Sequence, residues 1–516
     1  MANALPRTAE VGVIGAGAMG AGIAQIAAQA GHRVCLFDTR MGAADRAKAK
    51  IGETLAALAA KGKIDAAAAD AAAARIGVVH ALGALVSAGL VIEAIVEDLG
   101  VKRDLFRELE VVVSPDTILA SNTSSLSITA LAAGMKYPRR VVGMHFFNPA
   151  PLMPLVEVVS GLATAADVTD TIYATAKEWG KAPVRAQSTP GFIVNRCARP
   201  FYAEALRVLG ERAAAPETLD AVMREAGGFR MGPFELMDLI GLDINIAVTR
   251  SVWEAFFHDA RFTPSVAQHE LVGAGFLGRK TGRGFYDYGA GAVKPAPAAE
   301  APQPRPAKIA RLGELRMGAP LVARLATAGI ATDVAIADPR FPNGALRVTG
   351  NEDNVAWLVP GDGRTATAMA AKAGIRDIVA YDLALDYGNC PRLAVARADT
   401  CSDAAFAAAV GALQAAGIAV TRLDDVAGLI VLRTVAMLAN EAADAVTQGI
   451  ASAADVDLAM QKGVNYPRGP LAWGDELGVA FVRDTLVNLA AHYGEDRYRL
   501  SPLIARRWAS EGRLLQ

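Results

Sequence analysis

His145 and Glu157 are the pair in this chain best suited to move a proton. They lie in the run GMHFFNPAPLMPLVEVV, residues 143 to 159. Its apolar ends predict two strands, and Pro149, Pro151 and Pro154 predict a stiff turn between them, so that imidazole and carboxylate approach across the returning chain. A carboxylate behind a histidine fixes the ring's tautomer and stabilises the imidazolium, which suits a base that takes a proton from an alcohol. A core histidine satisfied by an ion pair would look the same at this level, so the surroundings must decide.

The elements that would position such a base begin near the N-terminus. VGVI at 11 to 14 is followed by GAGAMG at 15 to 20 and the helical pattern AGIAQIAAQAG. A strand feeding Gly15, Gly17 and Gly20 into a helix start lets backbone approach a pyrophosphate, whose charge the helix N-terminus favours. The next strand, HRVCLFD, ends at Asp38, 18 residues beyond Gly20, where a carboxylate accepts from the two ribose hydroxyls of NAD and repels a 2′-phosphate. The pattern predicts a Rossmann-type domain that takes NAD in preference to NADP, with Arg40 as the neighbour able to receive the extra phosphate.

Downstream, residues 41 to 74 read as alanine-rich helix whose lysines, Lys48, Lys50, Lys61 and Lys63, suit a solvated face. LVIEAIVED at 90 to 98 predicts a buried strand running into Glu97, and the helix after it carries Lys102. Polar residues at the C-terminal ends of parallel strands face the ligand crevice, so both are site candidates. TILA at 117 to 120 opens into SNTSSLSIT, where Ser124 or a neighbour is either a site hydroxyl or the N-cap of a short helix. Pro190 marks the expected start of a helix that includes Asn195, and helical periodicity continues to about residue 285.

Composition sets the outer limits. A chain of 516 residues suggests three or four domains. With 53% hydrophobic residues, 20% charged and a net charge of -1, it is neither disordered nor basic enough to bind nucleic acid through phosphates. The N-terminus shows no signal-peptide core and no apolar run has membrane-spanning length, so a cytoplasmic protein without a membrane partner is expected. Cys35, Cys197, Cys390 and Cys401 form no CxxC pair and the six histidines lack ligand spacing, so no metal site is expected.

GAGAMGAGIAQ, EAIVED, ASNTSSL, HFFNP, LVEVV and TPGFIVNR, in that order over about residues 8 to 288, closely resemble the 3-hydroxyacyl-CoA dehydrogenases. The resemblance implies NAD-dependent oxidation of an (S)-3-hydroxyacyl-CoA to the 3-oxoacyl-CoA. It implies His145 as the base, Glu157 as its orienter, and Ser124 and Asn195 as donors to the reacting oxygen. Asn148 would shape the same pocket, Lys102 would lie near cofactor and substrate, and coenzyme A would be held at Thr54 and Lys61. The general chemistry agrees, since hydride transfer from a secondary alcohol needs a nicotinamide, a base and donors to the oxygen.

The rest of the chain is an eroded second copy. Gly191, Arg196, Glu204, Asp220, Gly232 and Asp238 recur 237 positions later as Gly428, Arg433, Glu441, Asp457, Gly469 and Asp475, which predicts a duplicated helical domain. The same offset sets Asp382 opposite His145, Ala394 opposite Glu157 and Leu432 opposite Asn195, and Leu315 stands where Gly17 stood in the glycine loop. Asp382 lies 44 positions after Asp338, against 107 from Asp38 to His145. The expected architecture is therefore α/β plus all-α: a Rossmann domain over 1–188, a helical domain over 189–288, and a Pro/Ala linker with nothing to bury over 289–308. A degenerate Rossmann-like remnant follows over 309–425 and a second helical domain over 426–516. The two helical domains are expected to pair as an internal pseudo-dimer, with further homo-oligomers open to it.

Two other classes compete with the dehydrogenase. A non-catalytic NAD-binding relative predicts loss of His145, Glu157 or Asn195, all of which stand. A small 2-methyl-3-hydroxyacid dehydrogenase would use a lysine in place of the His–Glu pair. Among dehydrogenases, two-copy chains of this length resemble the enzymes of phenylacetate breakdown, whose substrate is 3-hydroxyadipyl-CoA, and also 3-hydroxybutyryl-CoA dehydrogenases.

Overall fold

Eight short, mostly apolar segments pair in one sheet in the order β3-β2-β1-β4-β5-β6-β7-β8 in the computed structural model, which describes residues 3–313, 315, 318–335, 338–341, 344–350 and 354–516. They are β1 (Glu10–Ile14), β2 (Val34–Phe37), β3 (Ile76–Val78), β4 (Ala88–Glu93), β5 (Ile118–Ser121), β6 (Val141–Phe146), β7 (Leu155–Ser160) and β8 (Ala182–Gln187). The first six run parallel because helices or long crossovers link them. The eight-residue proline turn between β6 and β7 is too short for a crossover, so β7 returns antiparallel and puts His145 directly opposite Glu157. The helix Ala18–Gln29, rich in alanine and glycine, lies close against the turn: a Cβ on Gly22 would come within 2.9 Å of Pro151. The glycine loop and the HFFNP turn are thus held side by side.

By contacts the chain divides into two compact units, Met1–Arg196 with Gln448–Val464, and Cys197–Thr447 with Asn465–Gln516. This differs from the division expected along the sequence, because a piece of the second helical region belongs to the first unit. The helix Ala453–Gly463 packs on β7 and β8, and the Gln187 N–H donates to the Ile450 carbonyl at 2.8 Å. The approach is close enough that a Cβ on Gly463 would sit 2.6 Å from Leu155 and 3.1 Å from Val194.

The second unit contains a seven-stranded sheet: β9 (Lys308–Leu312), β10 (Ala331–Ala335), β11 (Ala345–Thr349), β12 (Val355–Pro360), β13 (Ile378–Tyr381), β14 (Arg392–Arg397) and β15 (Ala419–Arg422), in the order β10-β9-β11-β12-β13-β14-β15. It is a Rossmann-like remnant with one strand fewer than the first sheet and one strand reversed. β11 is antiparallel to both β9 and β12, since the shortened chain after β10 leaves no length for a crossover helix. The loop echoing the first glycine loop falls partly outside the described residues; Leu315 within it is buried. In the same unit the helix Val431–Thr447, almost wholly buried, packs against the helix Arg199–Gly210. Arg433 meets Glu204 at 3.0 Å and Arg261 meets Glu441 at 2.8 Å, each ion pair fully buried. Removing one partner of such a pair costs about 3–5 kcal/mol.

The 289–308 segment is not the free tether its composition suggested. Ala298 N–H donates to Thr218, Glu300 N–H to the Val420 carbonyl and Gln303 N–H to the Gln414 side chain, while the Ala298 carbonyl accepts from Arg392 and Thr421. A Pro/Ala strand carries few side-chain anchors, and its backbone polar groups do the holding instead. Pro190, in turn, does not open the helix directly. Gly191 and Phe192 at positive φ form a turn first, and the helix starts at Val194.

Candidate active site

Glu157 joins the site to the fold. It has no solvent exposure, and its two oxygens are divided between two tasks. Oε2 lies 2.6 Å from His145 Nδ1, and Oε1 accepts the N–H groups of Ile193 and Val194 at 3.0 and 2.9 Å. A carboxylate can only accept, so Nδ1 carries the ring proton and Nε2 keeps its lone pair. The imidazole, 5% exposed, is flanked by Phe147 and Phe192. By seating the first turn of the helix Val194–Cys197, Glu157 also fixes where Asn195 begins. The Asn195 amide donates to the Ser124 carbonyl at 3.2 Å, so these two candidates are neighbours as well.

Ser124 is held by Glu97. One oxygen of that carboxylate accepts the Thr123 hydroxyl at 2.7 Å and the N–H groups of Ser124 and Ser125 at 2.8 and 3.2 Å. Burial works against the charged form of Glu97, but the Thr123 hydroxyl, the Lys102 ammonium and the Ser124 N–H outweigh it and hold the carboxyl below its ordinary value. Glu97 lies four residues past the end of β4 rather than on it. The N-cap of the short helix Ile128–Ala132 is Ser127, which leaves Ser124 free of that duty.

Lys102, expected near cofactor and substrate, is 1% exposed, and its ammonium is bonded to both oxygens of Glu93 at 2.8 and 2.9 Å, with Glu97 at 3.3 Å. It fixes Glu97 from behind and presents no open charge. Glu93, which also takes the Ser121 hydroxyl, was missed from sequence, although an acid closing an apolar strand is a visible signal. Asn122 was missed too; its side-chain oxygen accepts the Phe146 N–H at 2.9 Å and ties the serine loop to β6. Asn148 is exposed at the cis Asn148–Pro149 bond. Thr54 donates to the Lys50 carbonyl within its own helix and Lys61 is exposed at that helix's end, and neither bonds to another candidate among the described residues.

At the glycine loop, Gly15 has φ +98° and a Cβ there would meet the Ala94 carbonyl at 2.5 Å, while a Cβ on Gly20 would fall 1.7 Å from the Gly15 carbonyl. These two glycines are required by the turn. Gly17 is different: a Cβ there meets nothing within 4 Å, and the helix it opens has neither a side-chain cap nor an acid in its first turn. The N–H groups at that helix start are free to face an anion. Asp38 follows β2 and accepts the Ala16 N–H at 2.7 Å. Hydrogen bonds from the Arg40 guanidinium hold its carboxyl at about 2, with the Ala16 and Arg40 N–H groups assisting against desolvation. Arg40 itself is largely exposed, so it can leave the carboxylate to an incoming ribose.

Residues 10–189 match the family described as 3-hydroxyacyl-CoA dehydrogenase, NAD binding domain, and residues 191–288 and 428–515 match the C-terminal domain of the same family. Residues 358–426 match a 3-hydroxybutyryl-CoA dehydrogenase reduced Rossmann-fold domain. A 3-hydroxyadipyl-CoA dehydrogenase of Escherichia coli (strain K12) is 44% identical over 502 residues, covering 96% of this chain and 97% of the relative. The chain belongs to the 3-hydroxyacyl-CoA dehydrogenase family. It is an NAD-dependent oxidoreductase of that family, and the open glycine turn, the bare helix start and Asp38 fit the dinucleotide. A crystal structure of 3-hydroxybutyryl-CoA dehydrogenase from Escherichia coli K12 superposes with a TM-score of 0.88 at 43% identity, covering 98% of this chain and 99% of that one. The pig mitochondrial hydroxyacyl-coenzyme A dehydrogenase is 42% identical over 294 residues, 54% of this chain and 90% of its own. Single-copy members of the family thus correspond to about half of this dehydrogenase.

In the second copy Asp382, Ala394 and Leu432 stand at the positions matching His145, Glu157 and Asn195. Asp382, at the position matching His145, is fully buried and accepts N–H groups from Ile430, Val431, Leu432 and Leu383 at 2.8 to 3.0 Å. Leu315, Leu432, Tyr381 and Phe481 line an apolar cavity of about 40 Å³ beside it. Among the described residues no cluster of His, Cys, Asp and Glu could hold a metal, and no helix is long and apolar enough to cross a membrane.

Proposed function

We propose that the first half of the chain oxidises (S)-3-hydroxyacyl-CoA esters at C3, with His145 as the base. Supporting this is one observation above the others: the Glu157 carboxylate is shared between His145 Nδ1 and the helix start that presents Asn195. NAD, when bound, supplies the hydride acceptor. His145 Nε2 takes the hydroxyl proton, and Glu157 stabilises the imidazolium that results. The Ser124 hydroxyl and the second N–H of the Asn195 amide hold the oxygen as it becomes a ketone. Thr54 and Lys61 contact coenzyme A, and Asn148 lines the entrance near the turn.

For the acyl group we favour 3-hydroxyadipyl-CoA, the substrate in the name of the E. coli relative that matches over nearly the whole chain, with 3-hydroxybutyryl-CoA, named for the superposed structure, as the shorter alternative. The panel that tests this is (S)-3-hydroxyacyl-CoA esters from butyryl to decanoyl plus adipyl, each with NAD and with NADP. Oxidation of none of them would end the proposal.

The duplicated helices we read as an internal pseudo-dimer. In its favour is a reciprocal pair of hydrogen bonds: Gln187 N–H to Ile450 carbonyl, and Asp424 N–H to Ala213 carbonyl, related by the offset of 237 at both ends. Each copy's helical region lends a strand-end contact to the other copy's sheet, as two-fold exchange requires.

A further inference from the structure

We propose that Lys181 is a positioning residue for the reaction, and that its ammonium fixes the cofactor helix relative to His145 by holding the turn between β6 and β7. This rests on the dehydrogenase reading above and adds to it a residue that acts through others. Three of the eight residues of that turn, Pro149, Pro151 and Pro154, have no N–H to give. The N–H groups of Leu152 and Met153 both go to the Pro149 carbonyl, at 3.0 Å each. The carbonyls of Ala150, Pro151 and Met153 take their donor from outside the turn. Lys181 Nζ donates to Ala150 and Met153 at 2.6 and 2.9 Å and reaches Pro151 at 3.5 Å. An ammonium has three N–H groups, and the turn offers it three oxygens.

Local sequence puts the lysine at the foot of the turn. The helix Ala166–Glu178 ends through Gly180 at φ +74°, and the Lys181 N–H closes back on the Ala176 carbonyl, so the chain passes directly into β8. β8 pairs with β7 from its first residue, Ala182 opposite Leu155, and the Ala182 N–H donates to the Pro154 carbonyl at 2.8 Å. Among the described residues no carboxylate pairs with Lys181. Burial pulls its ammonium down to about 8, so it is charged at neutral pH with backbone oxygens as its partners.

The turn so held touches both the base and the cofactor helix. Phe147, its first residue, has its ring centroid 4.4 Å from that of His145. Ala150 and Pro151 lie against Gly22 of the helix Ala18–Gln29, where a Cβ would come within 3.0 Å of the one and 2.9 Å of the other. That helix begins at the glycine loop, so the clamped turn ties the dinucleotide's helix and the base into one body. Hydride and proton leave neighbouring atoms of one substrate, C3 and its hydroxyl, and their two acceptors must keep their spacing. A misplacement of about 1 Å costs about 10²-fold.

The test uses the full-length enzyme in excess over NADH, with a saturating 3-oxoacyl-CoA, that of whichever ester wild type oxidises fastest in the panel above. In this regime the rate constant for loss of NADH reports hydride transfer in intact molecules, whatever fraction of the preparation is intact, so a lesion of stability alone leaves it unmoved. In Lys181→Met it should fall about 10- to 100-fold, while the Kd for NADH by calorimetry stays within about threefold of wild type. NADH deuterated at the transferred position should slow it further. Lys181→Arg keeps the charge but spreads its donors in one plane, so it should fall about 5- to 10-fold, and it carries the test if Lys181→Met does not fold. A rate constant within about threefold of wild type, or a loss of NADH affinity as large as the loss of rate, overturns the proposal. So does a slowed rate constant without an isotope effect, or failure of both variants to fold, which would make the lysine structural only. Wild type inactive with every ester would instead sink the dehydrogenase reading itself.

Discussion

Glu157→Gln separates the two duties of one carboxylate. The amide oxygen must remain on the Ile193 and Val194 N–H groups, which are buried and have no other side-chain acceptor among the described residues, so the amide nitrogen is forced toward His145. Facing a donor, Nδ1 gives up its proton, and the neutral ring then carries hydrogen on Nε2, the atom that should accept one. Two losses follow. The imidazolium forfeits a charged hydrogen bond worth about 1.5–3 kcal/mol, and the resting ring is in the wrong tautomer. Together these should lower kcat about 10²- to 10⁴-fold, the range over which a positioned base contributes. NADH formation gives kcat, calorimetry with NAD reports whether the cofactor still binds, and circular dichroism reports the fold. The reasoning fails if Glu157→Gln keeps kcat within about threefold of wild type, or if it loses NAD binding along with activity.

Asp38→Ala should narrow the preference for NAD over NADP in kcat/KM by removing both an acceptor and a repulsive charge, and a wild type that already favours NADP would refute the assignment. Truncation after residue 289 removes the helix Ala453–Gly463 from β7 and β8 and exposes apolar surface, so the fragment should dimerise or aggregate on a sizing column coupled to light scattering; a soluble active monomer would contradict the pseudo-dimer. Burial raises the Asp220 carboxyl to about 7 despite hydrogen bonds from Tyr286 and Phe234. The folded state therefore holds that proton more tightly than the unfolded chain. The contribution is complete below pH of about 4 and is lost as pH rises through about 7, so the stability of wild type relative to Asp220→Asn should decline across that window. A difference that is flat with pH in chemical denaturation would remove Asp220 from the account.

What could be read from the sequence was what local spacing encodes. The glycine turn, the acid after the second strand and the proline-stiffened return between His145 and Glu157 each follow from a few adjacent residues, and the register of β6 and β7 agrees. Contacts between distant segments left no such trace. Nothing near Gly463 announces that it lies against Leu155 and Val194, and nothing in the Pro/Ala tract says that its backbone is bonded to the remnant sheet. Lys102 looked like an open site lysine because its partner Glu93 sits inside an apolar strand, where a charge is easily passed over. The reversal of β11 was hidden for another reason: a shortened loop is visible in a sequence, but the strand direction it enforces is a property of the whole sheet.

Both halves of the chain keep an acid beneath the first turn of a long helical run, but not on the same strand. In the first half it is Glu157 on β7, reaching Ile193 and Val194; in the second it is Asp382 after β13, reaching Ile430 and Val431, while Ala394 occupies the place of Glu157. The acceptor for the helix start is thus supplied from β7 in one half and from the end of β13 in the other. The helix start asks only for a buried acceptor in that pocket, whichever strand supplies it, and on the proposed mechanism it is proton transfer that asks for the acceptor to come from β7 with a histidine across from it. In the first half one side chain answers to both requirements, so Glu157 is doubly constrained: a substitution that leaves no acceptor there, unlike Glu157→Gln, unseats a helix even where no substrate is ever met.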